Sequence, residues 1–498
     1  MADVIILSGG IEQPDWSPRI RRSLGPYRIA SALEKEGYSV SVIDYIQYMN
    51  IEEIILALSK QLTKDTLWIG FSSTFFFSPK PGLNGLEKMY QNMPYESMVK
   101  IYDYVNANSG AKIVFGGAYA LFPPADQRVD YYVAGYADNT VVDLTKHIHH
   151  NQPLHQFTEI DIEGKKSIHI DSSKYPEPVM GSLDTFWHKE NYNLLPEEPV
   201  PLEFARGCIF KCKFCSYPLI GKRKGTYIRD MEQVRDEMVM LWETKGTDTF
   251  YMTDDTFNDD NDKMEDFHKL FTSLPFKPKF SAFLRLDLIN KYPHQADLLL
   301  DAGLVGNFFG IESFNLKSAR AIGKGMHTDK VKSRLKWVAD KWKGKVNIGV
   351  GLIVGLPYDD YDYFDELNEY INSPDYPAHH TVINPLYIFD KSRGMNLHGS
   401  EFSMNAEVYG YKFDQDGLWY HPEQKLDFRT CKNIAEQLAN TQKEKEKIAE
   451  FRMITYLGMG VKLEDLLTKT EVEIHQMYDF PKMNNEKIVE YKKLIGAI

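Results

Sequence analysis

The chain has 498 residues, of which 43% are hydrophobic and 26% are charged, a balance that excludes both a disordered acidic chain and an integral membrane protein. No apolar run approaches the length that crosses a bilayer. The formal net charge of -12 opposes non-specific binding to the phosphates of nucleic acids.

The first 150 residues alternate between apolar extended runs and amphipathic helical windows. We predict five strands, at 3–7, 39–44, 67–71, 112–117 and 131–135. The helical windows between them lie at 27–36, 51–62, 98–106 and 140–149. Repeated alternation of this kind predicts an α/β domain over 1–150, with a doubly wound parallel sheet covered by helices on both faces.

Polar stretches that contain proline fill residues 151–198, which we interpret as a linker because proline sustains neither a helix nor an interior strand. Alternation resumes over 199–394 and predicts a partial (β/α)6 barrel. Its six strand candidates lie at 201–206, 249–253, 279–284, 304–311, 346–354 and 380–389. The pattern over 395–498 is mostly helical, most clearly at 428–448, and predicts a helical C-terminal region.

Three of the four cysteines lie within eight residues. Cys208, Cys212 and Cys215 form a C-x3-C-x2-C pattern, whereas Cys431 lies far away in a helical window. Three thiols this close cannot all form disulfides, and no histidine lies nearby to complete a zinc site. A four-iron cluster held by three cysteines leaves one iron open to a substrate or cofactor. The spacing therefore predicts an iron–sulfur centre, with three ordinary reduced cysteines as the alternative.

The low number of cysteines also bears on location. Four cysteines are too few for a disulfide framework and indicate a reducing compartment. The first residues, Met-Ala-Asp-Val-Ile-Ile-Leu, lack the basic segment and the longer apolar segment of a signal peptide. We therefore expect a cytoplasmic protein that does not associate with a membrane.

The cysteine pattern, with Phe214 directly before the third cysteine, resembles the signature of the radical S-adenosylmethionine (SAM) superfamily. The resemblance implies that the open iron of a 4Fe–4S cluster binds SAM, and that one-electron reduction cleaves SAM to a deoxyadenosyl radical. The cofactors supply the difficult chemistry in such enzymes, and the protein supplies placement. The resemblance also implies an electron donor such as flavodoxin or ferredoxin.

Weaker matches to the same superfamily follow at the strand ends of the predicted barrel. The resemblance implies that Asp254 or Asp255 receives the SAM ammonium, with a solvated turn as the alternative. It implies that Arg285 pairs with the SAM carboxylate and that Glu312 accepts hydrogen bonds from the ribose hydroxyls. It also implies that the strand of Gly351 lies against adenine. The full set of implied SAM contacts is Phe214, Asp254, Asp255, Ser281, Arg285, Glu312, Ser313, Gly351 and Ile353.

Many radical SAM enzymes that use cobalamin carry an N-terminal Rossmann-like domain, and residues 1–150 resemble one. The resemblance implies cobalamin at the carboxyl ends of the strands, where open parallel sheets bind ligands. The implied contacts are Gly25, Ser72, Ser73, Thr74, Gly116, Gly117 and Gly135. Because the chain contains no Asp-x-His-x-x-Gly pattern, we expect no histidine ligand to the corrin. A scaffold domain that has lost cobalamin is the alternative.

Taken together, these resemblances imply a cobalamin-dependent radical SAM methyltransferase that acts on an unactivated carbon. One alternative is a radical SAM oxidoreductase, cyclase or isomerase whose N-terminal domain lacks corrin. Another is a non-catalytic, metal-stabilised binding protein. The substrate class stays open between a small molecule and a modified polymer, and the sequence identifies no catalytic acid or base.

Overall fold

The structure is a computed structural model that describes residues 2–9, 20–73, 93, 95–117, 126–162, 164–217, 219–390, 399–442 and 446–498. The chain divides into two compact units. The first comprises Met1–Pro201, Asp236–Thr247 and Asp479–Ile498, and the second comprises Leu202–Arg235 and Asp248–Tyr478. None of the helices in the described ranges combines the length and the apolar character that a membrane span requires.

A seven-stranded sheet forms the centre of the first unit. Its strands are β1 (Val4–Leu7), β2 (Val40–Ile43), β3 (Trp68–Ser72), β4 (Lys112–Gly117), β5 (Tyr131–Ala134), β6 (Thr158–Ile162) and β7 (Lys165–Asp171). Their order is β2-β1-β3-β4-β5-β7-β6, and β1 to β5 pair in parallel. The chain reverses its direction of winding on either side of β1, so the predicted doubly wound sheet is confirmed.

Four α-helices of the described residues connect these strands: α1 (Leu24–Lys35), α2 (Ile51–Ser59), α3 (Tyr95–Asn108) and α4 (Asp138–His150). The start of α2 shows how the sequence sets a boundary. The Asn50 side chain accepts a hydrogen bond from the Glu53 amide, and the Glu53 carboxylate accepts one from the Asn50 amide. This capping box satisfies two amides that the first turn of a helix leaves without partners.

The first sheet extends into the segment that the sequence predicted to be a linker. Strand β7 pairs in parallel with β5, and β6 pairs antiparallel with β7 across a turn in which Gly164 has a φ of +88°. Most of β6 is exposed, and it carries the charged residues Glu159 and Asp161. Charged residues are typical of an edge strand, and here they obscure the apolar alternation of Ile160 and Ile162.

The second unit contains most of the predicted barrel, whereas the start of its first strand and residues 236–245 of its first helix are grouped with the first unit. The barrel strands are β8 (Val200–Leu202), β9 (Thr249–Met252), β10 (Lys279–Leu284), β11 (Leu304–Glu312), β12 (Asn347–Val354) and β13 (His380–Pro385). They form one sheet in the order β13-β12-β11-β10-β9-β8, and the strands from β9 to β13 pair in parallel. A strand forms at each of the six predicted positions, although β8 ends at Leu202 rather than at residue 206, and β13 ends at Pro385 rather than at residue 389.

Helices alternate with these strands. They are α5 (Met231–Lys245), α6 (Asn261–Thr272), α7 (Leu286–Lys291), α8 (Gln295–Asp301), α9 (Leu316–Ala321), α10 (Thr328–Trp342) and α11 (Tyr361–Asn372). The outer face of the sheet is packed with aromatic rings; Phe309, for example, stacks on Trp342 of α10 at 6.1 Å between ring centroids. Alternate residues of each strand therefore face the barrel interior.

The region after residue 395 contains the helices α12 (Glu401–Met404), α13 (Phe428–Asn440), α14 (Glu450–Gly458), α15 (Leu463–Thr468) and α16 (Glu471–Met477). The predicted helical C-terminal region is therefore confirmed. The helix expected over 428–448 was too long, because α13 ends at Asn440. On α14, Phe451 packs on Phe283, whose side chain points into the barrel, at 4.6 Å between centroids.

This region also contains a small antiparallel sheet, which the sequence did not predict. It consists of β14 (Lys412–Phe413), β15 (Trp419–His421) and β16 (Leu426–Asp427). Strands of two or three residues are too short to show an apolar alternation, so the sequence pattern contains little signal for them. We call it the C-terminal sheet.

The last helix, α17 (Phe480–Leu494), belongs to the first unit. Its Tyr491 hydroxyl accepts a hydrogen bond from the Asp44 amide at 2.7 Å. Its Lys492 ammonium forms an ion pair with Glu53 at 2.7 Å. The end of the chain therefore completes the core of the unit in which the chain begins.

Candidate active site

The three clustered cysteines lie on a loop that follows β8, at the carboxyl end of the second sheet. All three have free thiols; Cys208 is buried, and Cys212 and Cys215 are half-buried. Backbone hydrogen bonds fix the loop: the Cys208 amide donates to the Leu219 carbonyl at 2.9 Å, and the Lys222 amide donates to the Cys208 carbonyl at 3.0 Å. The fold thus presents three thiols from a constrained loop.

One cation lies directly against this loop. The Arg285 Nη1 atom is 3.4 Å from the Cys212 sulfur, and the guanidinium carbon is 3.8 Å from the centroid of the Phe210 ring. The Asp287 carboxylate accepts two hydrogen bonds from Arg285, at 3.0 and 2.7 Å. Burial opposes the charge of Arg285, but the bonds to Asp287 and Cys212 outweigh it and raise the pKa of Arg285. The Arg285 guanidinium is therefore a fixed cation in contact with the Cys212 sulfur.

Burial favours the neutral form of the Cys208 and Cys215 thiols. Burial raises the pKa of Cys208, and burial together with the charges of Cys212 and Asp255 raises the pKa of Cys215 to about 11. Such thiols ionise when a metal centre supplies positive charge. Among the described residues, no group of His, Cys, Asp and Glu is arranged around a single metal ion. The donor set, three thiols on one loop beside a cation, fits a cluster of several irons rather than one ion.

The two aspartates after β9 occupy different environments. Asp254 is buried; it accepts a hydrogen bond from the Phe204 amide at 2.8 Å and lies 3.4 Å from the Lys263 ammonium. Asp255 is half-buried and close enough to influence the cysteine thiols. Burial first, then the charge of Asp254, raise the pKa of Asp255 to about 7, and a hydrogen bond with Tyr217 only partly offsets them. No cation is among the strongest influences on Asp255, so its carboxyl could receive a ligand cation.

Glu312 ends β11 in an unusual conformation. Its φ is +68°, and the pairing of β11 with β12 shifts register between Gly310 and Glu312, which marks a bulge. The Lys324 ammonium lies 2.9 Å from the Glu312 carboxylate. Backbone strain of this kind concentrates at functional sites, and bulges change the direction of a side chain. The positive charge of Lys324 also acts on Asp287, which connects Glu312 electrostatically to the arginine at the cysteine loop.

The other residues implied to contact SAM differ in burial and in whether their side chains already have hydrogen-bond partners. Ser281 is buried, and its hydroxyl has no hydrogen-bond partner among the described residues. The Ser313 hydroxyl is already engaged, since it donates to the Tyr363 hydroxyl at 3.0 Å. Phe214 and Ile353 are half-buried. The Ser281 hydroxyl thus lacks a hydrogen-bond partner among the described residues, whereas the Ser313 hydroxyl has one.

The space in front of Gly351 is already filled. A Cβ atom added at Gly351 would lie 2.6 Å from Cε1 of the Phe308 ring. The close approach that glycine permits there is therefore used by Phe308 of the neighbouring strand. A ligand that follows β12 would meet the strand beyond this point, at Ile353 and the loop after it.

In the first unit, most of the implied cobalamin contacts gather at one edge of the sheet. Ser72 pairs with Gly116, and Gly117 pairs with the last residue of β5, next to Gly135. Gly117 has a φ of +118°, and a Cβ atom there would lie 2.5 Å from the Ser73 hydroxyl oxygen. The packing leaves little room for a side chain at this edge.

Two further residues of the implied set are separate from this edge. Gly25 lies exposed in the first turn of α1, and no atom comes within 4 Å of a Cβ added there. Thr74 lies outside the described residues. The structure thus brings together five of the seven implied contacts.

Sequence reasoning missed three residues that shape the cysteine site: Phe210, Asp287 and Lys324. Phe210 lies between two of the cysteines, so the spacing of the motif marked its neighbourhood but not its contact with Arg285. Asp287 follows Arg285 by two residues, and Lys324 follows Glu312 by twelve. Neither spacing is distinctive, because acidic and basic residues are common at helix ends.

Comparison with known proteins connects this geometry to a family. The family profile described as the radical SAM superfamily matches residues 202–371, which include the cysteine loop and β9 to β12. The cytidylyl-2-hydroxyethylphosphonate methyltransferase of Streptomyces wedmorensis is 26% identical over 354 residues, which cover 59% of this chain and 62% of that protein. The bacteriochlorophyllide d C-8(2)-methyltransferase of Chlorobaculum tepidum is 24% identical over 270 residues, which cover 53% of this chain and 57% of that protein. The chain thus spans less than two thirds of the length of these relatives.

Solved structures extend the likeness along the chain. TsrM of Kitasatospora setae, a radical SAM methyltransferase solved with a tryptophan substrate and a SAM analogue, has a TM-score of 0.64 at 14% identity, covering 96% of this chain and 99% of that one. A second structure of the same protein, with cobalamin and a 4Fe–4S cluster, has a TM-score of 0.62 at 14% identity, covering 98% and 99%. At this identity the likeness shows a shared fold. Residues 202–371 of the chain thus match the radical SAM family profile, and the chain shares the fold of TsrM.

Proposed function

We propose that this chain is a cobalamin-dependent radical SAM methyltransferase that methylates an unactivated carbon. The observation that best supports the proposal is the joint placement of three thiols, the Arg285 guanidinium and the Asp255 carboxyl at one end of the second sheet. The methyltransferase names of the relatives and the corrin in the TsrM structure support it independently.

Residues of this chain would hold the cluster and bind SAM. Cys208, Cys212 and Cys215 would hold the cluster, and Arg285 would stabilise the charge of the Cys212 thiolate. Asp255 would accept the SAM ammonium in a charge-assisted hydrogen bond. When bound, the cluster would supply one electron to SAM, and cobalamin would carry the methyl group.

The residues that surround this site restrict its geometry. The Phe210 ring and the Asp287 carboxylate hold the Arg285 guanidinium on two sides, which fixes its direction toward Cys212. Lys324 holds the Glu312 carboxylate, which would otherwise be free to rotate at the end of β11. Positioning of this kind lowers the entropy that a reacting complex must lose.

Anaerobic reconstitution with iron, sulfide and hydroxocobalamin tests the proposal. We expect about four irons and one corrin per chain, measured by iron assay and electronic absorption. After a chemical reductant such as titanium(III) citrate has brought the corrin to cob(I)alamin, we expect the methyl group of labelled SAM to appear on the cobalamin, with S-adenosylhomocysteine as the other product. Iron and SAM binding without corrin would replace the proposal with the oxidoreductase, cyclase or isomerase alternative. A protein that binds no iron cluster would support the metal-stabilised binding protein.

Replacing Gly117 with leucine should remove corrin without removing iron. Leucine would have to adopt the φ of +118° found at Gly117, and its side chain would collide with Ser73. We expect this strain to lower the stability of the fold by about 1–3 kcal/mol. The cysteine loop lies in the other unit, so its iron content should not change. The matched control is Gly110→Leu, since no atom lies within 4 Å of a Cβ atom there. Equal ratios of corrin to iron in both variants would contradict a corrin site at this edge.

The pH dependence of ligand binding should report on Asp255. Burial raises the pKa of this carboxyl to about 7, so its neutral form dominates below that pH and cannot pair with an ammonium. Affinity should therefore be full above pH 8 and fall by up to about tenfold per unit below pH 7. Calorimetric titration with S-adenosylhomocysteine, which carries the same ammonium and is not cleaved, measures the effect.

The variant Asp255→Asn serves to assign that profile. It should bind S-adenosylhomocysteine weakly and equally well at each pH between 6 and 8.5. The control Asp262→Asn removes an exposed carboxylate from the start of α6 and should retain the wild-type profile. An unchanged pH profile in Asp255→Asn would assign the ammonium to another group.

A further inference from the structure

The loop after β12, residues 355–360, is organised around one buried carboxylate. Asp359 accepts hydrogen bonds from the Gly355 amide at 3.0 Å, the Leu356 amide at 3.0 Å and the Ser318 hydroxyl at 2.7 Å. Gly355 has a φ of +90°, a conformation that side chains rarely adopt. The amide groups of this loop, which we call the β12 loop, are therefore held from within.

The carbonyl groups of the same loop are held from a distant part of the chain. Gln424 donates from Nε2 to the carbonyls of Leu356 and Asp359, at 2.9 and 2.7 Å. The Tyr411 hydroxyl donates to the Gly355 carbonyl at 2.8 Å. Both side chains belong to the C-terminal sheet or the residues directly beside its strands. Three carbonyl groups of a six-residue loop are thus fixed by two side chains more than 50 residues away.

Packing reinforces these hydrogen bonds. A Cβ atom at Gly355 would lie 2.6 Å from the Trp419 ring, so the ring lies directly on the backbone of the β12 loop. Trp419 also donates from its indole nitrogen to the Leu386 carbonyl at 2.6 Å, just after β13. The C-terminal sheet therefore holds the ends of two neighbouring strands on the face where barrel enzymes bind their ligands.

We infer that Gln424 and Tyr411 are positioning residues that hold the β12 loop in the conformation that receives the adenosine part of SAM. The inference rests on the proposed function, with SAM at the carboxyl ends of the barrel strands and its adenosine part at the end of β12. Since Phe308 covers Gly351, a ligand at this strand meets its last residues and the β12 loop. Backbone groups recognise a ligand tightly only when their loop is ordered before binding. Neither Gln424 nor Tyr411 needs to touch SAM to have this effect.

The test compares Gln424→Met with Gln442→Met in the cluster-loaded protein. Methionine keeps the length of glutamine and removes its hydrogen bonds. Gln442 is a suitable control, because it is more buried than the half-buried Gln424 and donates to Asn372 at 2.9 Å, away from the β12 loop. With two hydrogen bonds lost, we expect the Kd for S-adenosylhomocysteine to rise about tenfold in Gln424→Met and to stay unchanged in Gln442→Met.

Fragments of the ligand distinguish positioning from general damage. In Gln424→Met, the affinity for 5′-deoxyadenosine should fall, whereas the affinity for methionine and the iron content should equal those of the wild type. A general structural defect would lower all three. Should Gln424→Met fail to fold, Tyr411→Phe removes one hydroxyl and should produce the same pattern with a smaller change.

The outcomes separate the inference from the proposed function. Wild-type protein that holds a cluster but binds no S-adenosylhomocysteine would overturn the proposed function and the inference with it. Wild-type binding together with unchanged 5′-deoxyadenosine affinity in Gln424→Met and Tyr411→Phe would overturn the inference alone.

Discussion

Replacing Cys212 with alanine should abolish iron binding, whereas replacing Cys431 should leave the iron content unchanged. Cys212 lies on the loop with the other two thiols and has Arg285 against its sulfur. Cys431 is fully buried in α13, an element separate from the cysteine loop, and burial raises the pKa of its thiol. A cluster with only two of its three protein ligands is not retained.

Iron and sulfide assays on anaerobically reconstituted variants measure this result, with the charge-transfer absorption of the cluster as a second readout. Cys208→Ala and Cys215→Ala should behave like Cys212→Ala. Cys431→Ala is the matched control, since it removes the same atom from the same chain. Loss of iron in Cys431→Ala, or its retention in Cys212→Ala, would show that the assigned ligand set is wrong.

Replacing Lys263 with methionine should lower the free energy of unfolding by about 3–5 kcal/mol. The Lys263 ammonium is buried between two carboxylates, 2.7 Å from Asp259 and 3.4 Å from Asp254. Without it, two buried carboxylates face each other with no cation. Protonation of Asp254 relieves the repulsion between the two carboxylates, and burial already raises the pKa of Asp254 to about 6. The loss of unfolding free energy in the variant should therefore grow as the pH rises from 5 to 8.

Urea denaturation at several pH values measures this loss. The control is Lys269→Met on the same helix, where the exposed ammonium pairs with Asp266 at the surface, at 3.1 Å. Exposed pairs of this kind contribute little to stability, so this variant should unfold like the wild type. Equal midpoints for the two variants would show that the buried triad does not stabilise the fold.

The sequence predicted the elements whose signal is local. The strands of both sheets are apolar runs bounded by turn residues, and the three cysteines lie within eight residues, so neither required knowledge of distant contacts. The hairpin β6–β7 was missed because an exposed edge strand carries charged residues that obscure its alternation. The C-terminal sheet was missed because its strands have only two or three residues.

In the candidate site, too, the sequence predicted local features and missed contacts made by residues from other elements. The sequence identified Asp254 and Asp255 as a pair but could not distinguish them, because only the position of Lys263 shows that Asp254 already has a cation. It identified Gly351 as a place of close approach, but the ring that uses the space, Phe308, comes from the neighbouring strand. Contacts between strands depend on register, which the pattern of a single strand does not contain.

The placement of α17 has a consequence for how the protein is made. Tyr491 meets Asp44 across 447 residues of chain, and Ile488 and Ile495 complete the core of the first unit. A ribosome releases the N-terminal sheet long before it has synthesised the helix that covers this part of its core. The exposed apolar surface is therefore available to chaperones or to other nascent chains for most of translation. Closing so long a loop also makes the docking of α17 a late step in folding.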